Sequence, residues 1–435
     1  MSTIKSIKRT YYLILFLYWL AVALPLPIFV LLLQARSINL LQIGIIMGIY
    51  SLSIVLLELP TGGLADAVGR KKVALLAYAV ILCGSVVLFF AFSFWAALLG
   101  MVLYGIGRAL SSGALDAWFV DSLQAADPEI ALQPALAQAD IFTLTALGIG
   151  TLLGGLLPGM FMMLPADGTA VLTPLSTTLI LSSLLKVALL IVIIVGVHEK
   201  RPLAAQSWRK GITNVPAIMK DAYELTRSNN ILKLLLSATL VGGLSLAAVE
   251  TFWQPRFAAI LGRNLNDTWI FGVVMAGSFL MGVAGNIIAT PLSKRLNNRY
   301  AIVAAIARGS RGVFLIGLGL AAGIVPAIIL FWLVYLNAGL IGSPQRTLIN
   351  NEIPSERRST MLSVESLASY VGGFIGSVFL GYVAQHLSIN IAWIIAGAIS
   401  LVSLFLYIGV DRRQQRKNYD QSEPLLNPSK ETAAL

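Results

Sequence analysis

Pro60-Thr61-Gly62-Gly63-Leu64-Ala65-Asp66-Ala67-Val68-Gly69-Arg70-Lys71-Lys72 stands between two long apolar runs and decides how the rest of the chain is read. Gly62, Gly63 and Gly69 permit close helix approach or a positive φ. Asp66 places a charge at the end of an apolar segment, and Arg70, Lys71 and Lys72 mark the face of a bilayer on which basic residues collect. A polar turn of this kind predicts a chain that crosses a membrane repeatedly.

Composition agrees. A chain that is 57% hydrophobic and 12% charged, against roughly 25% charged in a soluble domain, cannot cover a water-facing surface. Apolar runs of spanning length, roughly 20 residues each, occur near 11–33, 40–64, 73–94, 96–120, 137–163, 176–197, 231–254, 268–291, 301–322, 325–348, 362–385 and 388–410. The first is too long for the apolar core of a signal peptide and no small-residue cleavage site ends it, so it reads as a membrane helix.

The net charge of +11 reports topology rather than nucleic acid. With both termini on the cytoplasmic side, only Arg36, Arg256 and Arg263 fall in outer loops, and Arg108, Lys186, Arg308 and Arg311 lie within spans. The rest of the 31 Lys and Arg are cytoplasmic, which suits a multi-pass protein of the plasma (inner) membrane. The single cysteine, Cys83, offers no disulfide or cysteine metal site. No haem, zinc or nucleotide signature appears, so no cofactor and no enzymatic chemistry are expected.

The longest interruption divides the spans evenly: an N-terminal bundle over 1–197, a central cytoplasmic linker over 198–230, a C-terminal bundle over 231–410 and a polar tail over 411–435 that is expected to be disordered. In the linker, Ile218, Ala222 and Leu225 share a helical face near Trp208, leaving open a membrane-surface helix or a solvated connection. Faint echoes relate the halves: Arg70-Lys71-Lys72 with Lys294-Arg295 and Arg299, Pro25 and Pro27 with Pro255, Asp140 with Glu365.

The order Gly62, Asp66, Gly69, Arg70, Lys71, Lys72 resembles the loop between helices 2 and 3 of the major facilitator superfamily, with Ala67 the one departure where that family usually carries a base. The resemblance implies an all-α membrane protein of twelve transmembrane helices in two pseudo-symmetric six-helix bundles, rocking about a site near the bilayer midplane. It also implies an inner-gate latch in which Arg70 joins Asp66 to Asp121 at the end of helix 4, and a cavity lined by helices 1, 4, 7 and 10.

Ionisable groups within spans are costly, about 2.5–3.5 kcal/mol each on insertion scales, and so mark ion or substrate paths. Glu58, Arg108, Asp116, Lys186, Glu250, Arg308, Arg311 and Glu365 are the candidates. Arg108 in Gly105-Ile106-Gly107-Arg108 resembles the buried helix 4 arginine that the family links to proton transfer. On a continuous helix Asp116 would lie about 80° round from Arg108 and roughly 12 Å deeper, unpaired, where desolvation penalises the anion. Its alternative is an ordinary pairing with helix 2. Glu250, followed by Trp253, Gln254 and Pro255, combines a protonatable group, an aromatic surface and a helix break, and is the first choice for coupling or cation binding. Glu58 before Pro60 suits a proton carrier or a gate lock, while Lys186, Arg308 and Arg311 on outer helices suit structural pairing or snorkelling. Gly148, Gly150, Gly154, Gly155, Pro158 and Gly159 on helix 5 are similar to the family's antiporter motif, with plain helix packing as the alternative.

These readings point to proton-coupled efflux of a small amphipathic or drug-like solute, since Tyr18, Trp19, Tyr50, Tyr104, Trp118, Trp253 and Tyr335 suit an apolar body. The partners expected are the solute, protons and the lipid bilayer, with a monomeric chain and no nucleic acid. Proton-coupled uptake of a metabolite, and a receptor or scaffold with a transporter fold, are the alternatives.

Overall fold

The structure is a computed structural model that describes residues 3–61, 64–166, 168–199, 220, 224–262, 264–353 and 358–426. Most of the linker, including Trp208, Ile218 and Ala222, lies outside the described residues, as does Gly62. The described chain is helical: α1 Ile4–Ala23, α2 Phe29–Ala35, α3 Leu40–Thr61, α4 Leu64–Val68, α5 Arg70–Phe89, α6 Phe94–Ser111, α7 Ala114–Ala126, α8 Leu132–Met160 and α9 Thr177–Gly196 in the first half. The second half comprises α10 Asn230–Ile260, α11 Thr268–Arg295, α12 Tyr300–Leu320, α13 Ile324–Asn351, α14 Arg358–His386 and α15 Ile389–Leu426. In lipid the backbone has no water to bond, and helices satisfy it internally.

Eleven helical stretches among the described residues are long and apolar enough to cross a membrane. The first expected span, which is not among the eleven, is broken rather than continuous. Pro25 and Pro27 cannot donate helical bonds, so α1 ends at Ala23, the chain turns through Leu24–Ile28, and α2 resumes at Phe29. The fourth expected span is also divided. Gly113 takes φ 73° between α6 and α7, a conformation that favours glycine, and nothing lies within 4 Å of where its Cβ would be. Its role is therefore the turn itself.

The core is partitioned. One buried cluster from Ile7 to Val197 belongs to the first half and another from Ile231 to Val410 to the second, both towards the end of the bundle that carries the 62–72 turn. A third cluster is shared: Ile28, Leu32, Ile43 and Ile46 pack with Phe252, Phe257, Phe271 and Leu380 at the opposite, far end. Backbone contacts reinforce that join. A Cβ on Gly155 of α8 would stand 2.6 Å from the Gly272 nitrogen of α11, and one on Gly44 of α3 would collide with the Ser377 carbonyl of α14. The halves thus meet at the far end and have separate cores at the turn end.

The tail departs from the expected disorder. α15 runs on to Leu426 because Arg412, Arg413, Gln414, Gln415, Arg416 and Lys417 are good helix formers and because the extension is anchored. Arg299 pairs with Asp411 at 2.5 Å, Lys417 with Glu352 at 3.6 Å, and Arg413 Nη1 donates to the Asn230 carbonyl at 3.2 Å. The Asn229 amide donates to the same Glu352 carboxylate at 3.1 Å, so the turn-end termini of α10, α13 and α15 converge on one acid.

Candidate functional site

At the turn, Gly69 takes φ 108° and opens α5. Arg70 pairs with Asp121 of α7, one of the two contacts named for the latch, while the Asp66 side chain lies outside the described set. A further partner was missed by sequence reasoning. Glu199, just past α9, accepts the N–H of Arg70 at 2.8 Å and of Lys71 at 3.1 Å, and the Lys71 ammonium donates to the Ile194 carbonyl at 2.7 Å. Glu199 thereby satisfies backbone donors that the first turn of a helix leaves free; a carboxylate in the linker, with no capping pattern local to α5, gives no sequence signal for this. Lys72 is exposed.

Between the halves lies a tyrosine-rich space. Trp19 and Tyr18 come from α1, Tyr50 from α3, Tyr104 and Arg108 from α6, Glu250 from α10, Tyr335 from α13 and Tyr370 from α14. The Arg108 guanidinium sits 5.7 Å from the Trp19 ring centroid, Tyr18 packs edge-on to Trp19 at 5.1 Å, and Tyr50 faces Tyr104 at 6.3 Å. Arg108 is half-buried and has no ion pair among the described residues. Glu250 is exposed although its neighbours Val249 and Thr251 are buried, so its side chain projects into this space. It makes no hydrogen bond or ion pair among the described residues. α6, α3, α14 and α10 follow one another across this region: a Cβ on Gly105 would stand 3.0 Å from the Tyr50 carbonyl, one on Gly48 3.0 Å from the Phe374 ring, and one on Gly372 would collide with the Leu240 carbonyl. Tyr50 and Tyr370 each interact with both Arg108 and Glu250. Tyr370 is a lining residue that sequence reasoning passed over, because a lone tyrosine in an apolar helix carries no pattern.

Three expectations change on contact with the geometry. Asp116 is not unpaired: with the helix broken at Gly113 it accepts the Tyr11 hydroxyl of α1 at 2.6 Å, and its partner is helix 1 rather than helix 2. Trp253 does not reach the space but is 1% exposed, packed among Phe257, Phe271 and Phe331. Gln254 bonds to the opposite half instead of facing solute: its oxygen accepts the Val30 N–H and its nitrogen donates to the Leu26 carbonyl, both at 2.8 Å. Glu58 is half-buried in α3, its charge felt at Tyr370.

The remaining intramembrane charges are internal and do not snorkel. Lys186 donates to Ser85 at 2.6 Å and Ser182 at 2.8 Å, with Tyr104 5.0 Å away. Arg311 donates to the Gly242 carbonyl at 3.1 Å. Gln345 links Arg308, Tyr407, Thr239 and Glu365 through its amide. On α8, Gly150 and Gly154 admit α1 and Gly155 admits α11, whereas Gly148 and Gly159 face open space.

The sequence matches the profile described as the Major Facilitator Superfamily over residues 11–361 and 309–433. Among solved structures the fold is similar to a mutant of the nucleoside transporter NupG, 13% identical with a TM-score of 0.77, covering 93% of this chain and 99% of that one. It is similar to a bacterial homologue of the human lysosomal transporter Spinster, 13% identical with a TM-score of 0.71, covering 94% and 97%. It also resembles the peptide transporter POT in complex with sulfate, 14% identical with a TM-score of 0.72, covering 94% of each. At these identities the likeness is one of fold. No curated protein matches the sequence.

Proposed function

The chain belongs to the major facilitator superfamily, and from that premise we propose that it is a proton-coupled exporter of a small amphipathic or drug-like solute, working by alternating access. Glu250 carries the reading: a carboxylate that projects from α10 into the space between the halves with no ionic or hydrogen-bonded partner among the described residues. In a low-dielectric setting an unpaired carboxylate is costly, so it takes either a proton or a cationic group of the solute. Competition between the two for one acid couples solute release to proton uptake. Arg311, a cation whose charge acts on Glu250, donates to the Gly242 carbonyl.

The shared far-end core and the separate turn-end cores support a conformation closed at the far end. Placing the basic turn on the cytoplasmic side of the plasma membrane by the positive-inside rule makes that conformation inward-facing, with both termini cytoplasmic. Arg70, Asp121, Glu199 and Asp66 form the inner latch in this reading, and Arg108 and Glu58 belong with the coupling or solute site.

Spin labels on the turn-end tips of the two halves test the coupling without knowledge of the solute. Distance distributions are expected to move as pH is taken from mildly acidic to mildly alkaline in the wild type and to stay fixed in Glu250→Gln. Equal pH responses in both proteins, or none in either, would overturn coupling through Glu250. Direction is read separately, by counterflow in inverted vesicles.

A further inference from the structure

We infer that the solute is amphoteric, carrying one anionic and one cationic group on a compact apolar body, with the anion held by Arg108 of the first half and the cation by Glu250 of the second. The inference rests on the transport reading above and narrows it to a substrate class.

The charged groups around the space separate into those already engaged and those left over. Asp116 is held by the Tyr11 hydroxyl, Glu365 by the Gln345 amide, Arg311 donates to the Gly242 carbonyl, and Arg308 lies against Gly242 and Gln345. Lys186 is enclosed by serine hydroxyls, and Glu58 has an interaction of its own. Arg308 and Arg311 each keep a buried Nε without a partner, but each also donates one side-chain hydrogen bond. Arg108 and Glu250 remain, opposite in sign and with neither a side-chain hydrogen bond nor an ion pair among the described residues.

They also lie within about 6 Å of each other in depth. Arg108 is fourteen residues from the far-end start of α6 and Glu250 ten from the far-end finish of α10, about 21 and 15 Å along their axes at 1.5 Å per residue. Tyr50, ten residues along α3, and Tyr335, eleven along α13, lie level with Glu250. A solute bearing only a cation satisfies Glu250 and leaves an unpaired guanidinium; one bearing only an anion does the reverse. An amphoteric solute satisfies both, and because the two charges sit on different halves it ties those halves together. The phenol rings between them accept an aromatic or apolar body while their hydroxyls tolerate polar substituents. Trp19 lies on one side of the Arg108 guanidinium, which leaves its edge donors for a planar anion such as a carboxylate.

The test is a thermal-stability panel on the purified full-length protein, using aromatic compounds in matched triplets. Each triplet holds a zwitterion, its amide as the cation and its N-acetyl derivative as the anion. Charge separations run from the single carbon of free tryptophan to the ring of 4-(aminomethyl)benzoate. Anything that binds the folded state raises its apparent stability. At equal concentration at least one zwitterion is expected to stabilise more than either of its single-charge relatives, with apparent affinity at least tenfold higher. Arg108→Gln should reduce that zwitterion to the level of its amide, and Glu250→Gln to the level of its N-acetyl derivative. The unliganded melting temperatures of both variants report whether they fold. Equal or stronger stabilisation by a single-charge set, or stabilisation by none of the compounds, overturns the substrate class. Should that happen while the halves still move with pH, the transport reading stands and only the amphoteric class falls.

Discussion

Gln254 bridges to Val30 of the opposite half at a place where a helix is broken: its amide oxygen accepts the Val30 N–H at 2.8 Å and its nitrogen donates to the Leu26 carbonyl at 2.8 Å. Leu26 and Val30 are four residues apart, the two ends of one helical hydrogen bond. The amide therefore stands in the gap that Pro25 and Pro27 leave between α1 and α2, and each half completes the other. Replacing it with Gln254→Leu removes two bonds of about 0.5–1.5 kcal/mol each, enough to shift a two-state equilibrium by one to two decades. Spin labels at the far-end tips should report more of the far-end-open population; unchanged distances would show that apolar packing alone holds that end.

Two adjacent glycines separate folding from switching. Gly154 packs on the Leu24 backbone within its own half, and Gly155 on Gly272 across the halves. Gly154→Ala should lower thermal stability by about 1–3 kcal/mol through overpacking. Gly155→Ala should leave each half intact and disfavour far-end closure, read as greater labelling of cysteines introduced at the far-end tips. The opposite pattern would reverse the two assignments.

Tyr11→Phe deletes the hydroxyl held by Asp116. If Asp116 is a tether for α7, then Tyr11→Phe and Asp116→Asn should each cost about 1.5–3 kcal/mol and the double variant little more than either. A double-mutant cycle on melting stability checks this. Additive losses, or loss of the pH response in Asp116→Asn alone, would return Asp116 to the proton path.

At the 62–72 turn, magnitudes favour the cap over the visible ion pair. Asp121 is 63% exposed in its pair with Arg70, and exposed pairs contribute about 0–1 kcal/mol. Glu199 accepts two backbone donors at the start of α5, for which loss of a cap costs about 0.5–2 kcal/mol. Glu199→Ala should therefore lower the melting temperature more than Asp121→Asn, with Glu199→Gln in between because it keeps an acceptor.

How much of this was legible depended on whether a residue's meaning is local. Eleven of the twelve expected spans and the basic turn follow from composition and period, the Arg70–Asp121 pairing follows from the family resemblance, and the described residues contain them. Pro25 and Pro27 were visible, yet the division of that span and its repair by Gln254 depend on a contact more than two hundred residues away in the chain. Gly113 interrupts helix 4 through its positive φ, and that break removes the continuous helix on which the expected Arg108–Asp116 relation depends. Trp253 looked like a solute contact because an aromatic beside a buried acid has two possible faces, and only tertiary packing says that it points into the shared core. The tail was judged on polarity, and its helix is held by Arg299, Glu352 and Asn230, which the tail's own sequence does not contain.

That last anchorage makes Glu352 a meeting point. Asn229 joins it from the start of α10, and Gln414 and Lys417 join it from α15, whereas Glu199, the acid that fastens the first half at the same end, serves the start of α5. The two bundles are alike in architecture but are tied by different knots, so a change at Glu352 is felt by three helices at once.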